Sequence, residues 1–216
     1  MPTNCSDPHL RFAATITGAF TLGALGALIL VAQGCRTEYG TPAASKNRTI
    51  SVQRDDAASR AAFLAAYPVF MHPRCMNCHP TGNVPLQGDD SHPHAQNVQR
   101  GRDGKGLYAL KCANCHQLSN LPGANMPPGN PNWHMLPPET PMVFEGKTPA
   151  ELARQLKDPK QNGNRTLEQL IHHVSEDKLV LGGWDAGEGR TKPPISHAEF
   201  AAKMREWIEK GAAVPE

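Results

Sequence analysis

Two short runs in this chain of 216 residues carry chemistry: Cys75-Met76-Asn77-Cys78-His79 and Cys112-Ala113-Asn114-Cys115-His116. Both read C-x-x-C-H. Two thiols three residues apart reach the two vinyl groups of one porphyrin and add to them as thioethers, and the His that follows falls beneath the iron as its proximal ligand. With six Cys and ten His in the chain, chance supplies about 0.008 such motifs, so the pair points to two covalently bound haem c groups. The same cysteines could serve two other chemistries. Zinc ribbons set their pairs about 15 to 20 residues apart, whereas 33 residues lie between Cys78 and Cys112, and zinc does not call for a His directly after each pair. A disulfide-exchange pair needs a strand-to-helix context of the thioredoxin kind, which neither motif has.

The elements that must position these residues are helical. Asp55 to Phe70 carries Ala58, Ala61, Ala62, Phe63, Ala65, Ala66, Tyr67 and Phe70, an apolar helix that Pro68 and Pro73 end or kink just before Cys75. Gly106 to Lys111 leads into Cys112 and resembles the helix that approaches the attachment turn in small c-type cytochromes. The expectation is therefore one device used twice, a short helix feeding a haem-attachment turn. Thr148-Pro149-Ala150-Glu151, Thr166 and Ser196-His197-Ala198-Glu199 mark three further helix starts. The first should end near Lys157, the second runs to Glu176, and the third stops at Gly211. No segment alternates as a strand would. Only 32 residues separate His79 from Cys112, too few for a complete single-haem domain, so both haems should share one compact fold. The fold class expected over 55–216 is mainly α, a dihaem cytochrome c-like fold with long loops rich in the chain's 20 Pro and 19 Gly.

What each iron does turns on its second axial ligand: Met or His closes it for electron transfer, and an open position admits catalysis. His94 lies 15 residues after His79, while His134 and Met135 lie 18 and 19 after His116. That parallel favours His94 for the first haem and His134 or Met135 for the second, with at least one bis-His iron. The plain alternative for His94 is a solvated residue of Asp89-Asp90-Ser91-His92-Pro93-His94. Met126, in Met126-Pro127-Pro128, and Met142, after Pro141, stand in Met-Pro contexts that supply sixth ligands elsewhere, or pack on a porphyrin face. His173 and His172 share the Thr166–Glu176 helix, where only one can point inward. Met204 shares a face with Phe200, Trp207 and Ile208 and reads as core, and His72 is placed to cover a haem edge. Arg100, Arg102 and Arg190 are available to haem propionates, since such charge-assisted contacts suit Arg; each reads first as a surface charge. Trp184 is a haem or partner contact. Gly101 to Gly106 lacks the G-K-[ST] ending of a phosphate loop and is a connection.

The remaining features place the protein in the cell. Phe12 to Ala32 is 21 residues without a formal charge, after Arg11 and before Gln33-Gly34-Cys35-Arg36. The run suits export and is close to the roughly 20 residues that span a bilayer; its glycines favour a signal over a permanent anchor. Val31 to Cys35 resembles a bacterial lipoprotein processing site with Ala at the third position before Cys35, so lipidation at Cys35 is expected. An uncleaved anchor over 12–32 and a soluble secreted product are the alternatives. Residues 1–34 are then signal peptide or anchor, 35–54 a tether, and the folded domain stands in the bacterial periplasm, attached to the membrane. With 22 Lys and Arg against 20 Asp and Glu, the chain has no basic face for nucleic acid. Aromatics are only 6%, so side chains alone promise a thin core that two porphyrins would supplement.

Phe70 to Pro215 resembles the bacterial dihaem cytochrome c proteins associated with isoquinoline 1-oxidoreductase-type molybdenum hydroxylases. The likeness rests on Met71-His72-Pro73-Arg74-Cys75 through His79-Pro80, on Pro85-Leu86-Gln87-Gly88-Asp89, on Pro131-Asn132-Trp133-His134, and on Gln155-Leu156-Lys157-Asp158-Pro159. It implies an electron-transfer subunit whose partner oxidises an organic substrate and passes electrons through these haems toward a respiratory acceptor. The chain itself would bind neither molybdenum nor substrate. The competing class is an enzyme, a dihaem peroxidase with one open iron, though the familiar dihaem peroxidases are considerably longer. A haem-based sensor is the third reading.

Overall fold

The computed structural model describes residues 54–216. The leader, Cys5, Cys35 and all of the tether but Arg54 lie outside the described residues, so the expectations of export, lipidation and anchoring fall there too. Among the described residues no helix is long and apolar enough to cross a membrane.

Helix α1, Asp56–Phe70, opens on Asp55, whose carboxylate accepts from the Ala58 N–H at 3.0 Å. Ala62, Phe63, Ala66, Val69 and Phe70 bury its inner stripe, while Leu64 and Pro68 share the solvent side. Pro68 lacks the N–H that would bond Leu64, and with both residues on the exposed side the helix runs on for two more residues. Helix α2, Pro73–Met76, has Pro at its first position and delivers the first motif. Two small hairpins follow, β1 (Leu86–Gln87) with β2 (His92–Pro93), and β3 (Gly106–Leu107) with β4 (Leu110–Lys111). Loops occupy most of the chain to Thr148, where α3 (Pro149–Lys157) begins; α4 (Leu167–Glu176), α5 (Lys178–Leu181) and α6 (His197–Glu209) complete a mainly helical fold.

The three helix starts read from the sequence are present. Thr148 and Thr166 each form a reciprocal capping box, with Glu151 and Gln169; Ser196 accepts from the Glu199 N–H without the return bond. One expectation fails. Gly106–Lys111 is not a helix but a hairpin. Gly106 (φ +91°) and Tyr108 (φ +49°) adopt left-handed backbone, and a Cβ at Gly106 would overlap the Leu110 carbonyl. A run of six residues behind a Gly-rich loop offers too few hydrogen bonds to offset helix nucleation.

The few aromatics are concentrated in one ladder. Trp207 of α6 packs on Phe63 (4.8 Å between centroids), Phe63 on Phe70 (6.1 Å), and Phe70 edge-on against both Phe200 and Phe144 (5.2 Å each). Ser59 ties α1 to the chain end, donating to the Trp207 carbonyl at 2.7 Å and accepting from the Ala213 N–H at 2.9 Å. Trp184 belongs to this core, stacked toward Phe200 with its Nε1–H on the Ile195 carbonyl at 2.8 Å. Met204 is buried in it, as its helical spacing indicated. Buried Asn162 organises the α3–α4 turn, donating to Leu156 and Arg165 carbonyls and accepting from the Arg165 N–H.

Candidate functional site

The first motif hangs from helices. The His72 ring accepts from the Arg74 N–H at 3.2 Å to cap α2, and the turns continue as the Cys78 and His79 N–H groups bond Cys75 and Met76 carbonyls. That spacing sets both thiols on one side of the turn. Both are free, and burial pushes Cys75 up to about 12 and Cys78 up to about 11. Backbone hydrogen bonds tie the two motif segments together through Arg100, whose N–H bonds the Asn83 carbonyl at 2.7 Å and whose carbonyl accepts from Gly106 at 3.0 Å.

The His79 Nδ1 stands 2.7 Å from the Met142 carbonyl. A carbonyl can only accept, so Nδ1 carries the proton and Nε2 keeps its lone pair. The ring lies against Phe144, centroids 3.9 Å apart and planes 19° apart. Burial drives the imidazole down to about 4, with the Met142 carbonyl opposing, and a neutral ring is the form that binds metal. Met142 takes φ +43°. The next residues close the clamp from the other side, the Phe144 and Glu145 N–H groups bonding the His79 carbonyl at 2.8 and 3.3 Å.

The second motif reaches the same arrangement without an α-helix. Hairpin β3–β4 runs into a single 3-10 turn, Cys112–Asn114, and the His116 N–H bonds the Cys112 carbonyl at 2.9 Å. Its Nδ1 lies 2.8 Å from the Pro128 carbonyl, and its ring stacks on Trp133 at 3.9 Å and 10°. Burial lowers this His as well. Gly129 holds the acceptor in place: its N–H donates to Asn120 at 2.8 Å, and a Cβ there would strike the Ser119 backbone.

Sequence reading singled out the Met126-Pro127-Pro128 and Pro141-Met142 stretches for their sulfur atoms. Each stretch also supplies a backbone carbonyl, Pro128 to His116 and Met142 to His79, and the stacking partners Phe144 and Trp133 went without a role. The signal was a Pro-rich segment with an aromatic close behind, following each motif.

The sixth-ligand candidates are scattered. Met126 is exposed on a loop, and Met142 is buried in the helical core with its carbonyl on the Nδ1 side of His79. Met135 is buried with its N–H on the Gly104 carbonyl at 2.9 Å. His134 is half-buried, its Nδ1 donating to the Asn132 carbonyl at 2.6 Å. His94 is half-buried too, and its Nδ1 is enclosed without a hydrogen-bond partner; its charge lowers His116. On α4, His172 points outward to Glu176, whereas His173 is half-buried with Nδ1 held 3.1 Å from Asp177, and its charge is felt at His79. His94, His134 and His173 are thus the half-buried imidazoles of this set, and His94 belongs to the hairpin segment that meets the first motif, the Leu86 N–H bonding the Asn77 carbonyl at 2.9 Å. The segment after α4 folds back onto α2, Gly183 lying against Arg74.

Of the arginines, Arg102 is exposed, Arg190 bonds the Ala186 and Asn125 carbonyls, and Arg100 is buried. Each motif therefore offers two free thiols and a neutral imidazole with an open Nε2, a donor set that fits covalent haem c. Among the described residues no three His, Cys, Asp or Glu converge to hold a bare metal ion. No protein-family model, curated protein or solved structure matches the chain.

Proposed function

We propose that residues 55–216 are a dihaem c-type cytochrome that carries electrons outside the cytoplasmic membrane of a bacterium, attached through lipid on Cys35 or through the 12–32 segment. The observation that carries this reading is the repeated proximal arrangement: both C-x-x-C-H imidazoles donate Nδ1–H to a backbone carbonyl and lie flat on an aromatic ring. Such a partner fixes the tautomer and raises the basicity of the ligating nitrogen. A haem c held at each motif supplies an iron that alternates between ferric and ferrous. The chain's own part is to hold the ligands, exclude water and keep two sites side by side. In this reading His94, whose Nδ1 is enclosed without a partner, and His173, oriented by Asp177, close the two irons, which suits transfer over catalysis. The electron donor in this reading is a molybdenum hydroxylase that oxidises an organic substrate, and the acceptor a respiratory protein.

Haem staining and a pyridine haemochrome count test the cofactor; two covalent haems per chain is the expected result, and any other number overturns it. Low-temperature EPR of the oxidised protein tests the function. We expect low-spin signals alone, with His173→Ala and His94→Ala each converting a different haem to high spin. A high-spin signal in the unaltered protein that shifts with cyanide, joined by turnover of peroxide, would replace the carrier with a dihaem peroxidase.

A further inference from the structure

Arg100 is buried to 1% exposure, at the point where the two motif loops meet. Its Nη1 donates to the Leu136 carbonyl at 3.1 Å and its Nη2 to the Gly82 carbonyl at 3.0 Å. Gly82 lies three residues beyond His79, and Leu136 three beyond Trp133, the ring beneath His116. The backbone of Arg100 is pinned as well, its N–H on the Asn83 carbonyl at 2.7 Å and its own carbonyl accepting from Gly106 at 3.0 Å. The Nε–H is enclosed and has no partner.

Two neutral carbonyls do not neutralise a cation. A guanidinium cannot escape by losing its proton, and an unpaired buried charge costs several kcal/mol or more, on the order of the full desolvation penalty. Elsewhere the fold meets this cost. Arg74, its side chain 6% exposed, is paired with Asp89. Among the described residues no carboxylate stands within ion-pair distance of Arg100, and the one titratable group whose charge reaches it is Cys78. Its own charge is felt in turn at Cys78 and His79. The side chain and the backbone N–H of Arg100 both bond the Gly82–Asn83 segment that leaves His79, so the missing anion belongs on the side of the first motif.

We infer that Arg100 is the counter-cation for a carboxylate of the group held at Cys75 and Cys78, a haem propionate. This rests on the dihaem reading. The Nε–H and the unfilled Nη positions present the donors that a carboxylate takes. An ion pair here fixes the first haem against both motif loops, and the guanidinium offsets the propionate's negative charge, which favours the ferrous over the ferric state of that haem. Arg100 is a positioning and tuning residue for one of the two sites.

The test uses the full holo-protein. In the reduced state, NMR of the Arg100 Nε–H should give nuclear Overhauser contacts to propionate methylenes of the haem whose thioether protons connect to Cys75 and Cys78. Contacts to the haem of Cys112 and Cys115, or to neither, overturn the assignment without any variant. Potentiometric titration supplies the second arm. In Arg100→Gln the reduced-to-oxidised ratio of one haem at fixed potential should fall about tenfold, about 59 mV for a one-electron couple, while the other moves far less and Arg100→Lys recovers most of the loss. Two haems with unchanged potentials in Arg100→Gln overturn this inference and leave the dihaem reading standing; a chain with no covalent haem overturns both.

Discussion

The two attachment motifs reach one geometry from opposite kinds of backbone. The first is the end of a helical core: α1 and α2 present it, Phe144 joins its His to the aromatic ladder, and burial holds both thiols far above their ordinary range. The second is a loop structure of one short hairpin and a 3-10 turn, with Cys115 exposed. Around it the surface is apolar and open, Tyr108 at 89% and Leu118 at 75% exposure, with Leu110, Leu121 and Met126 nearby in sequence. What survives the change of backbone is the imidazole's carbonyl acceptor and its stacked ring. A C-x-x-C-H motif therefore needs only a local turn from its own segment; the orientation of its His comes from a Pro-rich stretch further on. The difference in burial also separates the two sites energetically. Cys75 packs against the helical core, while Cys115 stands exposed on its loop.

Removing each pair of cysteines separates the motifs most strongly. Cys75→Ala with Cys78→Ala should lose one haem and lower the unfolding midpoint sharply, because the group lost abuts the core. Cys112→Ala with Cys115→Ala should lose one haem and leave the α1–α6 core cooperative, read by circular dichroism and by survival of that core under limited proteolysis. Equal destabilisation by both would end the contrast between a core site and a loop site.

The stacking rings carry the contrast to single residues. Phe144→Ala should cost about 3–5 kcal/mol in denaturant unfolding, the range for a buried aromatic, because its ring also meets Phe70. Trp133 is half-buried, so Trp133→Ala should cost well under that and act on the second haem's spectrum. Gly129→Ala tests the loop site through backbone alone. The added methyl group meets the Ser119 backbone, and the expected result is a shifted His116 ligand field with the first haem unaltered.

Much of this was legible in the chain. The helices after Thr148, Thr166 and Ser196 and the stop at Gly211 follow from local rules of capping and spacing, and local rules act on neighbours. The β3–β4 hairpin was missed because Leu107, Tyr108 and Leu110 look helical until the positive φ of Gly106 and Tyr108 is known. The proximal carbonyls of Met142 and Pro128 were missed for another reason. A backbone acceptor leaves no residue-type signature, and only the tertiary path brings Met142 back, 63 residues on, to His79.

The smallest expected effect concerns the latch beside the first motif. Asp89 joins Arg74, which precedes Cys75, to the Thr191 N–H at 3.0 Å, and Thr191 follows Arg190, whose charge is felt at His116. The Thr191 N–H is the main reason its carboxyl sits below the ordinary aspartate range, with Arg74 and His72 adding to it. A depressed folded value means that the carboxylate's contribution is complete above the unfolded value of about 3.9. It then declines as pH falls and is gone below the folded value. Asp89→Asn should therefore reduce stability slightly at neutral pH and flatten its fall between neutral pH and the acid range, as read from denaturant midpoints. Asp89 is 38% exposed, so solvent screens the pair and the change stays small. Arg74 and Arg190 feel one another as well as Asp89, so the variant leaves two like charges facing across the motifs, and added salt should recover part of the loss. An acid profile identical to that of the unaltered protein would show that the latch holds no charge-dependent stability.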